Sequence, residues 1–149
     1  DNDVECEFPD FKAEVKEVKV MGVVAHKVDM GGIVHVVLPS DINFDHNQTA
    51  YQETHRLVLS SLNLGEKPAV GVIWRELKAD ESVKIHPVVW VKSLDSFFYE
   101  TACGSGTLAV LLVSGKSGLV VWQPSGKIIR AEVREGSTLV LHSEMEIVL

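Results

Sequence analysis

The chain has 149 residues, of which 46% are hydrophobic and 23% are charged, and its formal net charge is −7. This length and composition are typical of one globular domain with a sizeable core, and the acidic balance argues against nucleic acid or an anionic membrane as the main partner. No apolar run approaches the roughly 20 residues that a membrane-spanning helix needs. The first residues are acidic, which is the wrong charge for a signal peptide, and we expect a cytoplasmic protein.

The predicted elements of the first half are strands over 13–20, 21–28 and 33–38, a helix over 48–62, and strands over 69–76 and 83–92. Residues 33–38 are a near-continuous β-branched run, which predicts a strand buried on both faces. Asp45 or Asn47 is the predicted N-cap of the helix. Gly65, followed shortly by Pro68, is predicted to end it.

The predicted elements of the second half are a strand over 96–100, a helix from about 104 to 113, and strands over 119–123, 127–133, 137–141 and 144–149. A turn is predicted around His142 and Ser143. The helix is apolar nearly all round, which is typical of a buried helix. We therefore expect an α/β chain of the α+β type, in which a curved and largely antiparallel sheet wraps around this one helix.

Cysteine and histidine spacing gives no sign of a metal site. The chain has two cysteines, Cys6 and Cys103, and six histidines, but no Cys-x-x-Cys pair and no His-x-x-x-His pair. Such pairs are the usual sign of a zinc site, so we expect none. Two cysteines without a spaced framework also indicate reduced thiols rather than a disulfide scaffold.

The segment around Cys103 is the candidate site. Cys103 precedes Gly104, Ser105, Gly106 and Thr107 at the predicted start of the second helix. The first N–H groups of a helix and the positive end of its dipole face such a position. They favour a thiolate with a lowered pKa and can bind a carboxylate. The glycines allow a ligand to approach the backbone closely, and the hydroxyls add donors.

Two chemistries are open for such a thiol, besides the structural alternative of a buried cysteine that only caps a helix. One is nucleophilic attack with a histidine partner and an oxyanion hole. The other is general acid–base proton transfer at the α-carbon of an amino acid. Racemisation requires a second group on the opposite face of that carbon. Cys6 is a poor candidate for it, because Glu5 and Glu7 flank it and disfavour a thiolate.

Residues 100–107, Glu-Thr-Ala-Cys-Gly-Ser-Gly-Thr, resemble the second cysteine motif of the diaminopimelate epimerase-like, cofactor-independent amino-acid racemases. Residues 28–32 resemble in part that family's Met-Gly-Asn-Pro-His segment. Members of the family have two lobes of like fold, each a β-barrel-like sheet around a central helix with one cysteine at its N-terminus. The resemblance implies that residues 1–149 form a single lobe, equivalent to the C-terminal half of such a racemase.

The same resemblance has consequences for cofactors and partners. It implies no pyridoxal phosphate, no metal and no other cofactor. It also implies a missing N-terminal lobe, on the same full-length protein or on another chain, that supplies the second catalytic cysteine. This chain alone is then expected to be inactive. A homodimer is compatible with this arrangement.

Within the family, residues 33–39, 86–90 and 122–126 resemble the histidine racemases of opine-metallophore pathways. Diaminopimelate epimerases carry Glu-Arg-Gly shortly before the cysteine, and its arginine binds the distal carboxylate of the substrate. Residues 94–98 contain no arginine, so a dicarboxylic substrate loses a charge-assisted partner. Histidine is the expected substrate. The alternatives are a diaminopimelate epimerase with a diverged pocket and a non-catalytic amino-acid-binding member of the fold.

The resemblance assigns roles to individual residues. Cys103 is expected to be one of two acid–base thiols, and the backbone N–H groups of residues 104–107 are expected to bind the substrate α-carboxylate. Glu100 is either an assistant to the thiol or a plain carboxylate at the end of a strand. His35, in an apolar strand, is more typical of a hydrogen-bonded core histidine than of a catalytic one. Asp95 and Phe98 are candidates to face the substrate side chain.

Three tryptophans, Trp74, Trp90 and Trp122, complete the set of residues that the sequence singles out. Large aromatic side chains dominate the burial of protein cores. We therefore expect all three in the core or at a lobe interface rather than in a platform that stacks on a ligand.

Overall fold

Hydrogen bonds join ten strands into one open sheet in the computed structural model, which describes residues 3–143. The strands are β1 (Val4–Phe8), β2 (Glu14–Val20), β3 (Val23–Asp29), β4 (Val34–Val37), β5 (Ala69–Leu77), β6 (Val83–Val91), β7 (Ser96–Tyr99), β8 (Gly118–Trp122), β9 (Ile128–Arg134) and β10 (Thr138–Ser143). The helices are α1 (Gln48–Ser61) and α2 (Gly104–Ser114), with a short 3-10 turn at Lys92–Leu94.

The strand order is β1-β10-β9-β8-β6-β5-β4-β3-β2, and β7 adds to β6 beside this path. The β4–β5 and β6–β8 pairs are parallel, and the other pairs among the described residues are antiparallel. The mixed α and β content is as expected. Within residues 3–143 the sheet is open, with β1 and β2 at the two ends of this strand order.

Each helix covers a different face of the sheet. On β5, Val72 and Trp74 pack with the core of α1, whereas Ile73 between them packs with the core of α2. Successive side chains of a strand point to opposite faces, so this alternation requires helices on both sides. The continuous burial of β4, predicted from its β-branched run, is confirmed and has the same cause.

The buried second helix is also confirmed. Residues 108–111, Leu-Ala-Val-Leu, are almost fully inaccessible to solvent. The helix contacts four strands, β4, β8, β9 and β10. A helix with neighbours on several sides needs apolar residues all round, which explains the absence of a polar stripe in its sequence.

Two chain reversals show how local geometry sets the elements. The segment after β2 returns as β3, because Met21 and Gly22 both adopt positive φ angles, of 53° and 75°. This combination is that of the tight hairpin turn that suits twisted strands. The predicted helix stop at Gly65 is wrong: α1 ends at Ser61, and Asn63 takes the left-handed conformation with φ 55°.

The sequence prediction also fails at the edge of the sheet. No strand was predicted at Val4–Phe8, yet β1 pairs with β10 along its whole length. The predicted turn at His142 and Ser143 is wrong, because both residues continue β10 and pair with β1 and β9. The predicted strand 144–149 lies outside the described residues.

Candidate active site

Cys103 is the N-cap residue of α2, with extended backbone angles of φ −140° and ψ 107°. Its sulfur takes the place of the usual capping oxygen and accepts a hydrogen bond of 3.3 Å from the N–H of Gly106. A Cβ built on Gly106 would lie 3.0 Å from Sγ and 3.2 Å from Cδ1 of Ile73. A side chain at position 106 would therefore press on both groups, and the sulfur or Ile73 would have to shift by a few tenths of an ångström.

Burial raises the pKa of the Cys103 thiol, whose residue is only 7% exposed. The Gly106 N–H and the Ser105 hydroxyl act in the opposite direction, and the Glu100 carboxylate adds to the increase in pKa. The lowered pKa expected from the helix N-terminus is thus wrong for this structure, because desolvation of the thiolate exceeds the stabilisation by the backbone. The raised pKa favours the protonated thiol over the thiolate.

Of the backbone N–H groups at 104–107 that are predicted to bind a carboxylate, only some are open to a ligand. The Gly106 N–H bonds to Sγ, and the Thr107 N–H donates to the Cys103 carbonyl at 3.1 Å. The N–H groups of Gly104 and Ser105 belong to the first two helical positions, which have no partner within a helix. Thr107 is fully buried, and its hydroxyl donates to the Cys103 carbonyl at 2.8 Å. An anion would therefore bind to the N–H groups of Gly104 and Ser105.

His35, on β4, contacts the segment 103–107, which we call the cysteine turn. Its Nε2 lies 2.8 Å from Oγ of Ser105, and that oxygen lies 3.7 Å from Sγ of Cys103. Full burial lowers the pKa of His35 to about 4, so the ring is neutral. If Nε2 carries the proton, it donates to Ser105, and the Ser105 hydroxyl is then free to donate to the sulfur.

His35 is thus a buried, hydrogen-bonded histidine, as expected from the sequence, and its partner Ser105 lies beside Cys103. The His35 Nδ1 is buried without a hydrogen-bond partner within residues 3–143. The ring lies across Gly71, its partner in the β4–β5 register.

Glu100 lies at the end of β7 and shares the face of Cys103. Its N–H donates to the carbonyl of Pro87 at 3.0 Å, which continues the β6–β7 ladder by one residue. Partial burial raises the pKa of its carboxyl group. Its charge also acts on the thiol. Glu100 is thus placed close enough to Cys103 to influence its protonation.

The two residues proposed to face the substrate side chain lie in different places. Asp95 accepts from the Trp90 indole at 2.8 Å and from Arg56 of α1, so it is bound on the face opposite to Cys103. Phe98 is 41% exposed. Its neighbour Phe97 packs into the α1 core, so strand alternation directs Phe98 to the Cys103 face.

The tryptophans and Cys6 make packing or hydrogen-bond contacts within the fold. Trp74 and Trp90 are buried in the α1 core, as expected. The Trp122 indole donates to the Ser82 hydroxyl at 3.2 Å. Cys6 lies on β1 opposite Leu141 and packs, half-buried, against the α2 core.

Sequence reasoning missed the contribution of Gln123. This fully buried residue follows β8, and its Oε1 accepts the Cys103 N–H at 2.9 Å. Its Nε2 donates to Oγ1 of Thr107 at 3.0 Å. In the sequence, Gln123 ends the predicted strand 119–123 and lies in the segment 122–126 that carries part of the family resemblance. Neither feature identifies a partner 20 residues away.

Two further features bear on the kind of site. In the part of the chain that the structure describes, no group of three or more His, Cys, Asp or Glu residues is placed to bind a metal ion. No helix within that part is long and apolar enough to cross a membrane.

Residues 5–148 match the family model of the histidine racemase CntK N-terminal domain. Among solved structures, the chain is similar to a phenazine-biosynthesis PhzC/PhzF protein of Clostridium difficile strain 630, with 19% sequence identity and a TM-score of 0.56. The match covers 99% of this chain and 56% of that protein. The chain therefore spans about half the length of this neighbour, and the likeness shows the fold. No curated protein matches the chain significantly.

The family model describes an N-terminal domain, so the C-terminal position expected from the cysteine motif is not confirmed. The match includes Cys103 and nearly all of the chain. The chain belongs to the family of the histidine racemase CntK N-terminal domain.

Proposed function

We propose that this domain is one half of a cofactor-independent amino-acid racemase in which Cys103 exchanges a proton with the α-carbon of histidine. The observation that carries the proposal is the position of Sγ on the first turn of α2. It lies beside the N–H groups of Gly104 and Ser105, which have no hydrogen-bond partner among residues 3–143. A substrate α-carboxylate on these two groups would place the α-carbon next to the sulfur. The substrate identity is supported by the family that the chain belongs to.

In the proposed reaction, a base on one face of the α-carbon removes its proton and leaves the electron pair on carbon, delocalised into the carboxylate. The Cys103 thiol donates its proton to the opposite face and becomes a thiolate. In the reverse direction the thiolate removes the proton. The dipole and N–H groups of α2 stabilise the negative charge on the carboxylate as it develops.

The second group is proposed to come from another lobe. The neighbouring structure is nearly twice as long as this chain, and one thiol reaches only one face of the α-carbon. The description of the matched family as an N-terminal domain favours a second lobe that follows this one in sequence. That order replaces the one inferred from the cysteine motif.

The geometry favours acid–base chemistry over nucleophilic attack. A Cys–His nucleophile needs an imidazole in direct contact with the sulfur, whereas His35 bonds to Ser105 and reaches Sγ only through that hydroxyl. Ser105 is placed to stabilise the thiolate by hydrogen bonding, and Glu100 is placed to disfavour it. These opposing effects suit a group that alternates between thiol and thiolate.

The test is exchange of the α-proton of L-histidine and D-histidine in D₂O, followed by NMR and chiral chromatography, in the full-length protein. Replacing Cys103→Ser should lower racemisation by about 10²-fold or more, which is the usual range for loss of an acid–base group. The matched control is Cys6→Ser, which should leave the rate unchanged. Wild-type racemisation by the Cys103→Ser protein would show that the assignment is wrong.

Parallel assays separate the alternatives. Racemisation of diaminopimelate in preference to histidine would indicate an epimerase with a diverged pocket. Tight binding of an amino acid without α-proton exchange would indicate a non-catalytic binding protein of this fold.

A further inference from the structure

The side-chain amide of Gln123 has all of its polar atoms engaged inside the domain. Besides its bonds to Cys103 and Thr107, Nε2 lies 3.3 Å from the carbonyl of Val121. The backbone around it is fixed by a tight turn, in which its N–H donates to the carbonyl of Lys127 and its carbonyl accepts from Gly126. A buried amide with this many partners has one orientation and little freedom to move.

The hydrogen bonds determine which way the amide faces. The Cys103 N–H is a donor and must face Oε1, whereas the Val121 carbonyl is an acceptor and must face Nε2. The Thr107 hydroxyl donates to the Cys103 carbonyl, so its remaining lone pairs accept from Nε2. The flipped amide would satisfy neither backbone group.

Together these contacts form a closed ring through Gln123, Cys103 and Thr107. The ring binds the N–H of Cys103 on one side and its carbonyl on the other. The backbone of the cysteine is thereby fixed from both sides, and the sulfur is fixed by Gly106. The ring also occupies the Cys103 N–H, so a bound carboxylate is confined to Gly104 and Ser105.

We propose that Gln123 is a positioning residue for proton transfer at Cys103, acting through a hydrogen-bonded ring that it completes with Thr107. The inference rests on the proposed racemase function and names a residue that this function does not by itself assign. Its physical basis is that a misplacement of a reacting group by about 1 Å can cost about 10²-fold in rate. Gln123 does not touch the reacting atoms.

The test compares four variants of the full-length protein by their kcat and KM for α-proton exchange. Gln123→Met removes the ring bonds at similar length, and Thr107→Val removes the hydroxyl at equal size. Each should lower kcat by about 10- to 100-fold. The double variant should be no more than about threefold worse than the worse single variant, because both changes open the same ring.

Thr107→Ser is the matched control, because it keeps the hydroxyl and should retain kcat within about threefold. Comparable losses in Thr107→Ser and Thr107→Val would overturn the proposal. So would multiplicative losses in the double variant, or wild-type kcat in Gln123→Met. The serine and valine comparison remains decisive if Gln123→Met does not fold.

A second readout does not depend on racemase activity. The pH dependence of Cys103 alkylation by iodoacetamide, followed by mass spectrometry of the peptide, reports the environment of the thiol. Burial raises the pKa of the Cys103 thiol in the intact protein. In Gln123→Met and Thr107→Val, water should reach the thiol, so the midpoint of alkylation should fall toward that of a free thiol. An unchanged midpoint in both variants would contradict the proposed role of the hydrogen-bonded ring. A shifted midpoint in a protein that exchanges no amino-acid proton would instead contradict the proposed function alone.

Discussion

His35 and Gly71 are neighbours in the parallel β4–β5 register, and the glycine makes room for the imidazole. A Cβ built on Gly71 would overlap the His35 ring at Nδ1 and Cε1. The ring cannot move freely, because it is fully buried and bonded to Ser105. The glycine therefore matters for the site as well as for the sheet.

We expect Gly71→Ala to lower the free energy of unfolding by about 3 kcal/mol, the upper range for overpacking a core. Chemical denaturation measures this directly. The control is Gly32→Ala, where a Cβ meets no atom within 4 Å and φ is not positive. It should change stability by about 0.5 kcal/mol or less. Equal effects at the two positions would contradict the close packing of His35.

Stability should fall in acid because two buried histidines must stay neutral. Burial lowers the pKa of His35 and His55 from 6.5 to about 4. Between about pH 4 and pH 6.5 the unfolded chain binds more protons than the folded chain. The free energy of unfolding is therefore highest above pH 6.5 and decreases as the pH falls. Each imidazole should cost about 2 kcal/mol of unfolding free energy between pH 7 and pH 5.

The variant His55→Gln tests this reasoning. The His55 Nε2 donates to the Val70 carbonyl at 2.9 Å, and a glutamine amide can replace that donor without titrating. Denaturation at pH 7 and pH 5 should show a smaller pH dependence in the variant than in the wild type. The same pH dependence in both would contradict a role for His55.

The residue scale also shows what the sequence could predict. Cys103 was identified because everything that marks it is local: the thiol, two glycines and the apolar helix that follows. The contacts of His35 with Ser105 and of Gln123 with Cys103 join residues 70 and 20 positions apart. No local pattern encodes such contacts, so they required the structure.

At the scale of elements, α1 shows capping at both ends. Asn47, one of the two predicted N-caps, accepts a hydrogen bond from the Ala50 N–H at 3.0 Å. At the other end, the Leu64 N–H donates to the Leu59 carbonyl, and the Asn63 N–H donates to the Ser60 carbonyl. These two bonds define a Schellman motif with Asn63 at the left-handed position. Asparagine tolerates that conformation, which is why the nearby Gly65 was misleading.

Replacing Asn47→Ala should lower the free energy of unfolding by about 1 kcal/mol, through loss of the N-cap. Replacing Asn47→Asp should retain most of the stability, because a carboxylate accepts the same bond and favours the positive end of the helix. Thermal or urea unfolding of the two variants measures the difference. Equal losses would show that the cap contributes nothing.

Elements with a strong local pattern were predicted well, whereas β1 was not. The α2 helix and β4 have near-continuous apolar runs, which predict buried elements. In contrast, β1 alternates between half-buried and exposed residues over only five positions. Its identity depends on pairing with β10, more than 130 residues later, and missing it also produced the wrong turn at His142.

At the scale of the whole molecule, the sheet separates two environments. The α1 face is a conventional apolar core that includes Trp90, and the exposed pair Asp95 and Arg56 lies beside it, where Asp95 accepts from the Trp90 indole. The α2 face carries Cys103, Ser105, His35 and Glu100 at one end of the helix. Sheet topology brings these together from β4, the end of β7 and α2, and a single domain thereby presents the proposed acid–base group beside the proposed carboxylate site.

One such group accounts for exchange on only one face of the α-carbon. Inversion needs a proton donor on the opposite face, and Cys6 is on β1 against the α2 core rather than in the cysteine turn. We expect residues 1–149 alone, once circular dichroism shows that they are folded, to produce no D-histidine from L-histidine in D₂O. The full-length protein should produce it under the same conditions.

Two measurements distinguish the absence of a second acid–base group from a general loss of activity. A single thiol can in principle exchange the α-proton and return deuterium to the same face, which would give labelled L-histidine without inversion. NMR detects that label, and chiral chromatography detects inversion. Formation of D-histidine by residues 1–149 alone would show that the domain contains both acid–base groups. Inversion that appears only with the second lobe would support a site divided between two domains.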